Sequence, residues 1–388
     1  VRLVVRALLA IVVIVLTAPP APSASPSSGP GGGCAIPFVP SDDGRQREGT
    51  TNWNGYLQPD GPLQAVMLFV DFPDHPATGT TQAYEDHFLP AAPQWYDVAS
   101  YGHLSLQVTP VPQWFRMPSD STAYPFERGF DFDVHRRYLA DAVAAADDAV
   151  DFSGFDLVYV VPVREASHIS FSPAFVAGPG FGVTADGNEL RFGVTFGQDI
   201  WSSFGFKTLD HETGHSFGLP DLYASSGDTH RFVGGWDVMG LISGPAPDYL
   251  AWHRWKLGWL DAAQVDCVND AGETNHTLSP VETPGGTKMV VMRTGTNTAI
   301  VAEARRTIGN DAAACDEGVL VYGVDGTVAS GLGPVRIVDA TPGDAGSNGC
   351  APLDNAPFDV GPGEVSTFSD PSAGVTLEVI SESGADFT

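Results

Sequence analysis

Positive charge is scarce in this chain: its 388 residues include only three lysines, and 19 Lys and Arg stand against 47 Asp and Glu, a formal net charge of −28. Such an acidic surface repels phosphate backbones and anionic headgroups, so neither nucleic acid nor a membrane surface is expected as a partner. Cysteine is also sparse, with Cys34, Cys267, Cys315 and Cys350 as the whole complement. After the first residues no apolar run approaches the ~20 residues of a membrane-spanning helix, so no integral membrane segment is expected once a leader is removed. The acidic pairs Asp71 and Asp74, and Asp131 and Asp133, and the trio Asp147, Asp148 and Asp151, lack the Gly and terminal Glu of a calcium-binding EF-hand loop. They are expected mainly as solvated acidic faces, with structural Ca2+ as a minor candidate cofactor. The Gly-rich run Gly178 to Gly182 has no strand-loop-helix setting for a phosphate and reads as a hairpin or surface loop.

With 43% apolar and 17% charged residues, the composition is that of a globular protein. Arg2 and Arg6, the apolar run Ala7 to Leu16, and small residues near Ala21 to Ala24 read as a secretory signal over residues 1–24. Residues 25–52 are rich in Pro, Gly and Ser and are expected to form a flexible pro-segment or linker. Cys34 within them has two readings, a latency thiolate that blocks a metal or half of a disulfide. An even cysteine count behind an export signal favours two disulfides, with three connectivities open. Ala65 to Phe72 and Leu157 to Val163 read as buried strands, and Leu104 to Val108 as a half-buried one. Val134 to Val150 has helical apolar spacing and reads as a helix backing the sheet. Residues 189–196 alternate, and an edge strand that pairs with a substrate backbone and an ordinary hairpin strand weigh equally there.

The most informative stretch is His211-Glu212-Thr213-Gly214-His215, followed by Gly218, Pro220 and Asp221. Helical residues four apart share a face, so His211 and His215 can bind one metal while Glu212 reaches the space beside it. Gly218 permits a left-handed exit from the helix and Pro220 prevents its continuation, which returns the chain with Asp221 toward the same point. Three protein ligands with an open fourth position make a catalytic rather than a structural zinc site. Asp228, His230 and Asp237 remain alternatives for the third ligand. Zinc lowers the pKa of a bound water to about 7 and polarises a carbonyl, and Glu212 is positioned to act as general base. Downstream, Met239 sits in a Gly-bounded turn, and such a turn after an extended H-E-x-x-H motif is the metzincin pattern. No Ser, Cys or Asp nucleophile constellation of comparable quality is read. The expected activity is peptide-bond hydrolysis by a zinc endopeptidase; an exported binding protein that has lost catalysis is the alternative, and the intact Glu212 argues against it.

HETGHSFGLPDLY, then VGGWDVMG, then GPAPDYLAWHRWKLGWL over residues 244–260 resemble the immune inhibitor A family of secreted bacterial metallopeptidases. AVMLFVDFPD (65–74) and WYDVASYGHLSL (95–106) extend the resemblance, and CDEGVLVYGVD (315–325) continues it more thinly. It implies a secreted zinc peptidase acting on extracellular proteins or peptides, with Met239 as an apolar floor beneath the histidines. Two features depart from better-known metzincins: the third ligand position is Asp221 and not His, and no Tyr stands two residues after Met239. The fold class expected is α/β (α+β), a metzincin-like catalytic domain with a mixed sheet and an active-site helix over residues 53–261. An all-β, sandwich-like C-terminal domain is expected over 262–388, where short Val- and Thr-rich runs alternate with turns. Nothing calls for a partner chain, and a monomer is expected.

Overall fold

The computed structural model describes residues 33–388 except 42–43, 127–128 and 345–349; the expected signal segment lies outside them. Strand β1 (Gly61–Asp71) occupies the middle of the first half, and its continuous apolar run has a simple cause. Ala65, Met67 and Phe69 point into one core and Val66, Leu68 and Val70 into another. A strand buried on both faces needs apolar residues at every position. Strand β3 (Leu157–Pro162) is divided in the same way. With β2 (Leu104–Arg116), β4 (Ala174–Val176) and β7 (Phe192–Thr195) they form a sheet of order β2-β1-β3-β7-β4. Its first four strands are parallel, and β4 runs antiparallel at one edge.

Helices α1 (Gln82–Glu85) and α2 (Ala91–Ala99) follow β1. Helix α3 (Phe132–Ala146) covers one face with Tyr138, Leu139, Ala142, Val143 and Ala146, the spacing seen in the sequence. Its N-cap is Asp131, whose side chain accepts the Asp133 N–H, and that cap sets the start of the helix at Phe132, two residues before Val134. Helices α2 and α4 (Gly205–Ser216) contribute to the core on the opposite face.

Three expectations need correction here. The stretch 189–196 is not one edge strand. Its first part, β6 (Asn188–Leu190), forms a hairpin with β5 (Val183–Ala185), and its second part, β7, lies between β3 and β4. Both backbone edges of β7 are therefore taken, and no substrate strand can be added there. Nor do residues 33–41 and 44–52 of the expected 25–52 linker form a flexible connector, the rest of it lying outside the described residues. Cys34, Ile36 and Glu48 are buried, Thr50 N–H donates to Ile36 O, and Arg47 bridges to Ala329. Composition missed this because two apolar anchors and one charge partner suffice to pin a Pro- and Gly-rich strap. The sandwich expected after residue 262 is a single sheet of order β12-β11-β10-β9-β8 with short hairpins beside it. It comprises β8 (Val265–Val268), β9 (Met289–Arg293), β10 (Thr298–Arg305), β11 (Gly318–Asp325) and β12 (Val335–Val338).

One face of that sheet, with Val290, Ile300, Ala302 and Val321, packs on Phe358 and on the hairpin β13 (Thr367–Asp370) and β14 (Val375–Glu378). Val291, Val301, Leu320 and Tyr322 on the other face enter the same core as Met239, Trp252 and Leu209. The sheet thus needs the first half of the chain to cover its second face. A chain of mixed α and β structure, mostly β and with several sheets, results. Among the described residues no helix is long and apolar enough to cross a membrane.

The halves are also joined by buried charge. Arg305 at the end of β10 pairs with Asp311 at 2.7 Å and Glu303 at 3.0 Å, and donates to the carbonyls of Trp236 and Tyr249. Guanidinium suits this place, because its fork satisfies several acceptors from one fixed plane. The cysteines form Cys34–Cys267 and Cys315–Cys350, so Cys34 is a disulfide partner and not a latency thiolate.

Candidate metal centre

Helix α4 is anchored to the sheet before any chemistry is considered. Tyr159 of β3 and Thr213 share a hydroxyl hydrogen bond of 2.8 Å, and Tyr96 of α2 donates to Asp210 O at 2.6 Å. This fixes the helix's rotation, and with it the direction of His211 and His215. The helix ends as the sequence implies. Gly218 has φ +84°, and the N–H groups of Gly218 and Leu219 return to the carbonyls of His215 and Gly214. A side chain at Gly218 would also press on the Tyr56 ring and Thr51, so the N-terminal strap is packed against this turn.

The turn brings Asp221 back to the helix. Its Oδ1 lies 3.3 Å from His211 Nε2 and 3.2 Å from His215 Nε2, and the three ligand atoms lie within 4.8 Å of one another. Each imidazole is oriented from behind: Nδ1 of His211 faces Val238 O and Nδ1 of His215 faces Leu219 O, both at 2.8 Å. A carbonyl can only accept, so both Nδ1 atoms carry a proton, and the other ring nitrogen of each, Nε2, faces Asp221. Asp221 Oδ1 is buried and, the two Nε2 atoms apart, has no hydrogen-bond donor beside it among the described residues. Two imidazole nitrogens, which bind a metal once they give up their protons, and a carboxylate oxygen converge on one point, a donor set that fits a borderline-soft divalent ion such as zinc.

Glu212 Oε1 is 4.0 Å from His211 Nε2, beside the group and not within it. Among protein groups alone, burial raises the Glu212 carboxyl to about 7, with the imidazoles opposing. Burial works against charge on His215, yet Asp221 outweighs it and raises that imidazole to about 9. Burial would raise Asp221 too, but the two histidines hold its carboxyl far below the usual range.

Met239 lies beneath the helix. A Cβ placed on Gly214 would come within 2.8 Å of both Met239 Sδ and Tyr249 Oη, so only glycine lets the turn approach. The turn is held by Asp237, whose Oδ1 accepts Met239 N–H and whose Oδ2 accepts from Leu250 N–H and His253 Nδ1. These bonds consume Asp237, while Asp228 and His230 are exposed, so of the alternatives for the third position none joins the histidines. The acidic pairs have other occupations. Asp71 is bound by Arg116, Asp74 by Ser121, Asp131 caps α3, and Asp151 caps Ser153, while Asp147 and Asp148 are exposed. The Gly178–Gly182 run is a surface turn with Phe181 exposed.

Sequence reasoning missed one string: Gly214-His215-Ser216-Phe217-Gly218 spells the G-x-S-x-G of serine hydrolases. Ser216 closes a helix, is buried, and its Oγ has no partner among the described residues, so it is no nucleophile elbow. Sequence reasoning also missed Glu48, whose carboxylate takes His253 Nε2 at 2.9 Å, and Ser330, which bonds Asp221 across 109 positions. Nothing local marks either. Tyr223, its ring stacked on His211 with centroids 6.1 Å apart, was likewise not singled out.

No family model and no curated protein matches the chain. Among solved structures, one of wild-type OgpA from Akkermansia muciniphila is similar over 78% of this chain and 96% of that one. Its identity is 9% and its TM-score 0.29, a likeness too weak to carry an argument about fold or activity.

Proposed function

We propose that the chain is a secreted zinc endopeptidase of the immune inhibitor A-like, metzincin-like kind, hydrolysing peptide bonds in extracellular proteins. The observation that carries this reading is the pair of Nδ1–H bonds to Val238 O and Leu219 O, which turns both Nε2 atoms onto Asp221 Oδ1, an oxygen with no other donor beside it among the described residues. His211, His215 and Asp221 would hold the ion. When bound, zinc supplies Lewis acidity toward a substrate carbonyl and acidifies water.

The chain's own residues do the rest. Glu212 holds and moves the proton: its carboxylate accepts one from the water whose oxygen attacks the peptide carbonyl carbon, and delivers it to the amine nitrogen as the C–N bond breaks. Burial supports this role, since it opposes the charge of the carboxylate and so favours taking up a proton. Met239 and Gly214 exclude water from behind the helix, and Asp237 fixes the turn that carries Val238 O. The two disulfides fit an exported chain.

The test is casein hydrolysis before and after chelation, with zinc restored, in the parent and in Glu212→Ala. The parent should lose activity on chelation and regain it with zinc; Glu212→Ala should retain stoichiometric zinc and lose nearly all hydrolysis. Zinc binding without hydrolysis in the parent would favour the inactive binding protein, and no zinc binding would sink both readings.

A further inference from the structure

We propose that Ser330 is the positioning residue of Asp221, so that the β-rich half of the chain supplies part of the metal centre; this rests on the zinc reading above. Ser330 Oγ donates to Asp221 Oδ2 at 3.0 Å and accepts the Asp221 N–H at 2.9 Å. One hydroxyl thus closes a ring on both the backbone and the side chain of the same residue. With Oδ2 bonded and the backbone fixed, the carboxylate cannot swing, and Oδ1 is the oxygen left to face His211 and His215. A carboxylate free to rotate would lose that freedom each time it took up an ion. Ser330 removes the cost beforehand, as partners of metal ligands do elsewhere.

Ser330 is itself held from two sides. Its N–H donates to Gln46 O of the N-terminal strap, and the neighbouring Ala329 bridges to Arg47. Gly331 N–H then donates to Asp221 O, and Ser225 N–H to Gly331 O, so residues 329–331 run along the Asp221 turn as a short splint. Gly331 has φ +77°, which lets the chain turn away after making these bonds. The hydroxyl is buried and its two bonds go only to Asp221. A purely loop-closing residue would need the backbone bonds alone.

The experiment measures zinc affinity by competition with a chromophoric chelator for the parent, Ser330→Ala, Ser330→Thr and Asp221→Ala. The visible spectrum of each Co2+ derivative, and the unfolding midpoint with excess chelator, are measured alongside. Ser330→Ala should bind zinc about 10–100-fold more weakly and shift the cobalt bands, with Ser330→Thr restoring both. Its unfolding midpoint in chelator should stay near the parent's. An unchanged affinity and cobalt spectrum in Ser330→Ala, with the parent binding zinc tightly, would overturn the inference and leave the zinc reading standing. A threonine that restores the midpoint but not the affinity would overturn it as well, by showing a structural role only. A parent that binds no zinc would overturn both.

Discussion

Replacing Glu48 by Gln should unfasten the site from the far end of a buried chain of charges. Glu48 comes from the N-terminal strap and lies against His253 at 2.9 Å, with Lys256 at 3.4 Å and Trp252 Nε1 at 3.2 Å. His253 in turn holds Asp237 at 2.8 Å, and Asp237 holds the Met239 turn. Burial alone would raise Glu48, but Lys256 and His253 outweigh it and bring its carboxyl down to about 2. Burial would likewise lower His253, but Asp237 and Glu48 raise it from 6.5 to about 10. That gap corresponds to a ceiling of roughly 5 kcal/mol for the charged imidazole. Breaking a buried pair by neutralising one member costs about 3–5 kcal/mol, a large fraction of the roughly 5–15 kcal/mol by which domains are stable.

The pH dependence gives the sign. His253 has a raised folded pKa, so its contribution is complete below about 6.5 and is lost as pH rises toward about 10. Glu48 has a lowered one, so its contribution is present above about 4.5 and is lost as pH falls toward about 2. Between these windows, near pH 5–6.5, the parent should exceed Glu48→Gln by the largest margin. Urea unfolding at pH 6, 8 and 9.5, with chelator present and Glu212→Ala as the common background to prevent self-cleavage, would measure the difference. It should shrink as pH rises, because neutralising Glu48 weakens the pull on the His253 proton. A difference below about 1 kcal/mol, or one that does not change with pH, would refute the buried-ion account, since exposed pairs are worth no more than that.

The other expectations are more direct. Asp221→Ala should lose zinc on dialysis against a weak chelator while Glu212→Ala keeps it; equal retention would place the third ligand elsewhere. Gly214→Ala should displace the Met239 turn, because its methyl would stand 2.8 Å from Sδ, and should reduce casein hydrolysis by at least about tenfold. Activity equal to the parent's would show that the turn can yield. Peptide mapping without reductant should recover Cys34 linked to Cys267 and Cys315 linked to Cys350, with no free thiol; any other pairing contradicts the packing of the strap. Arg305→Met should destabilise by about 3–5 kcal/mol in denaturant unfolding, since Asp311, Glu303 and Glu282 would be left buried without it. A loss under about 1 kcal/mol would mean that those acids protonate at little cost.

What the sequence determined by itself was whatever depends on neighbours along the chain. Helical periodicity places His211 and His215 on one face, and Gly218 with Pro220 forces the return that carries Asp221, so the three converge as the spacing implies. The same holds for β1, β3 and α3, whose apolar patterns state how many faces are covered. Tertiary structure alone decided what depends on partners far away in sequence. Whether residues 192–195 lie at an edge depends on which strand pairs outside them, and β4 is that strand. Whether residues 44–52 are loose depends on Glu48 meeting His253, 205 positions on. Backbone carbonyls such as those of Val238 and Leu219 select the histidine tautomers, yet every residue has a carbonyl, so no residue type announces them. Periodicity is written into a sequence because it repeats; a single hydrogen bond between distant residues, such as Ser330 to Asp221, does not repeat, and only the folded chain brings its two ends together.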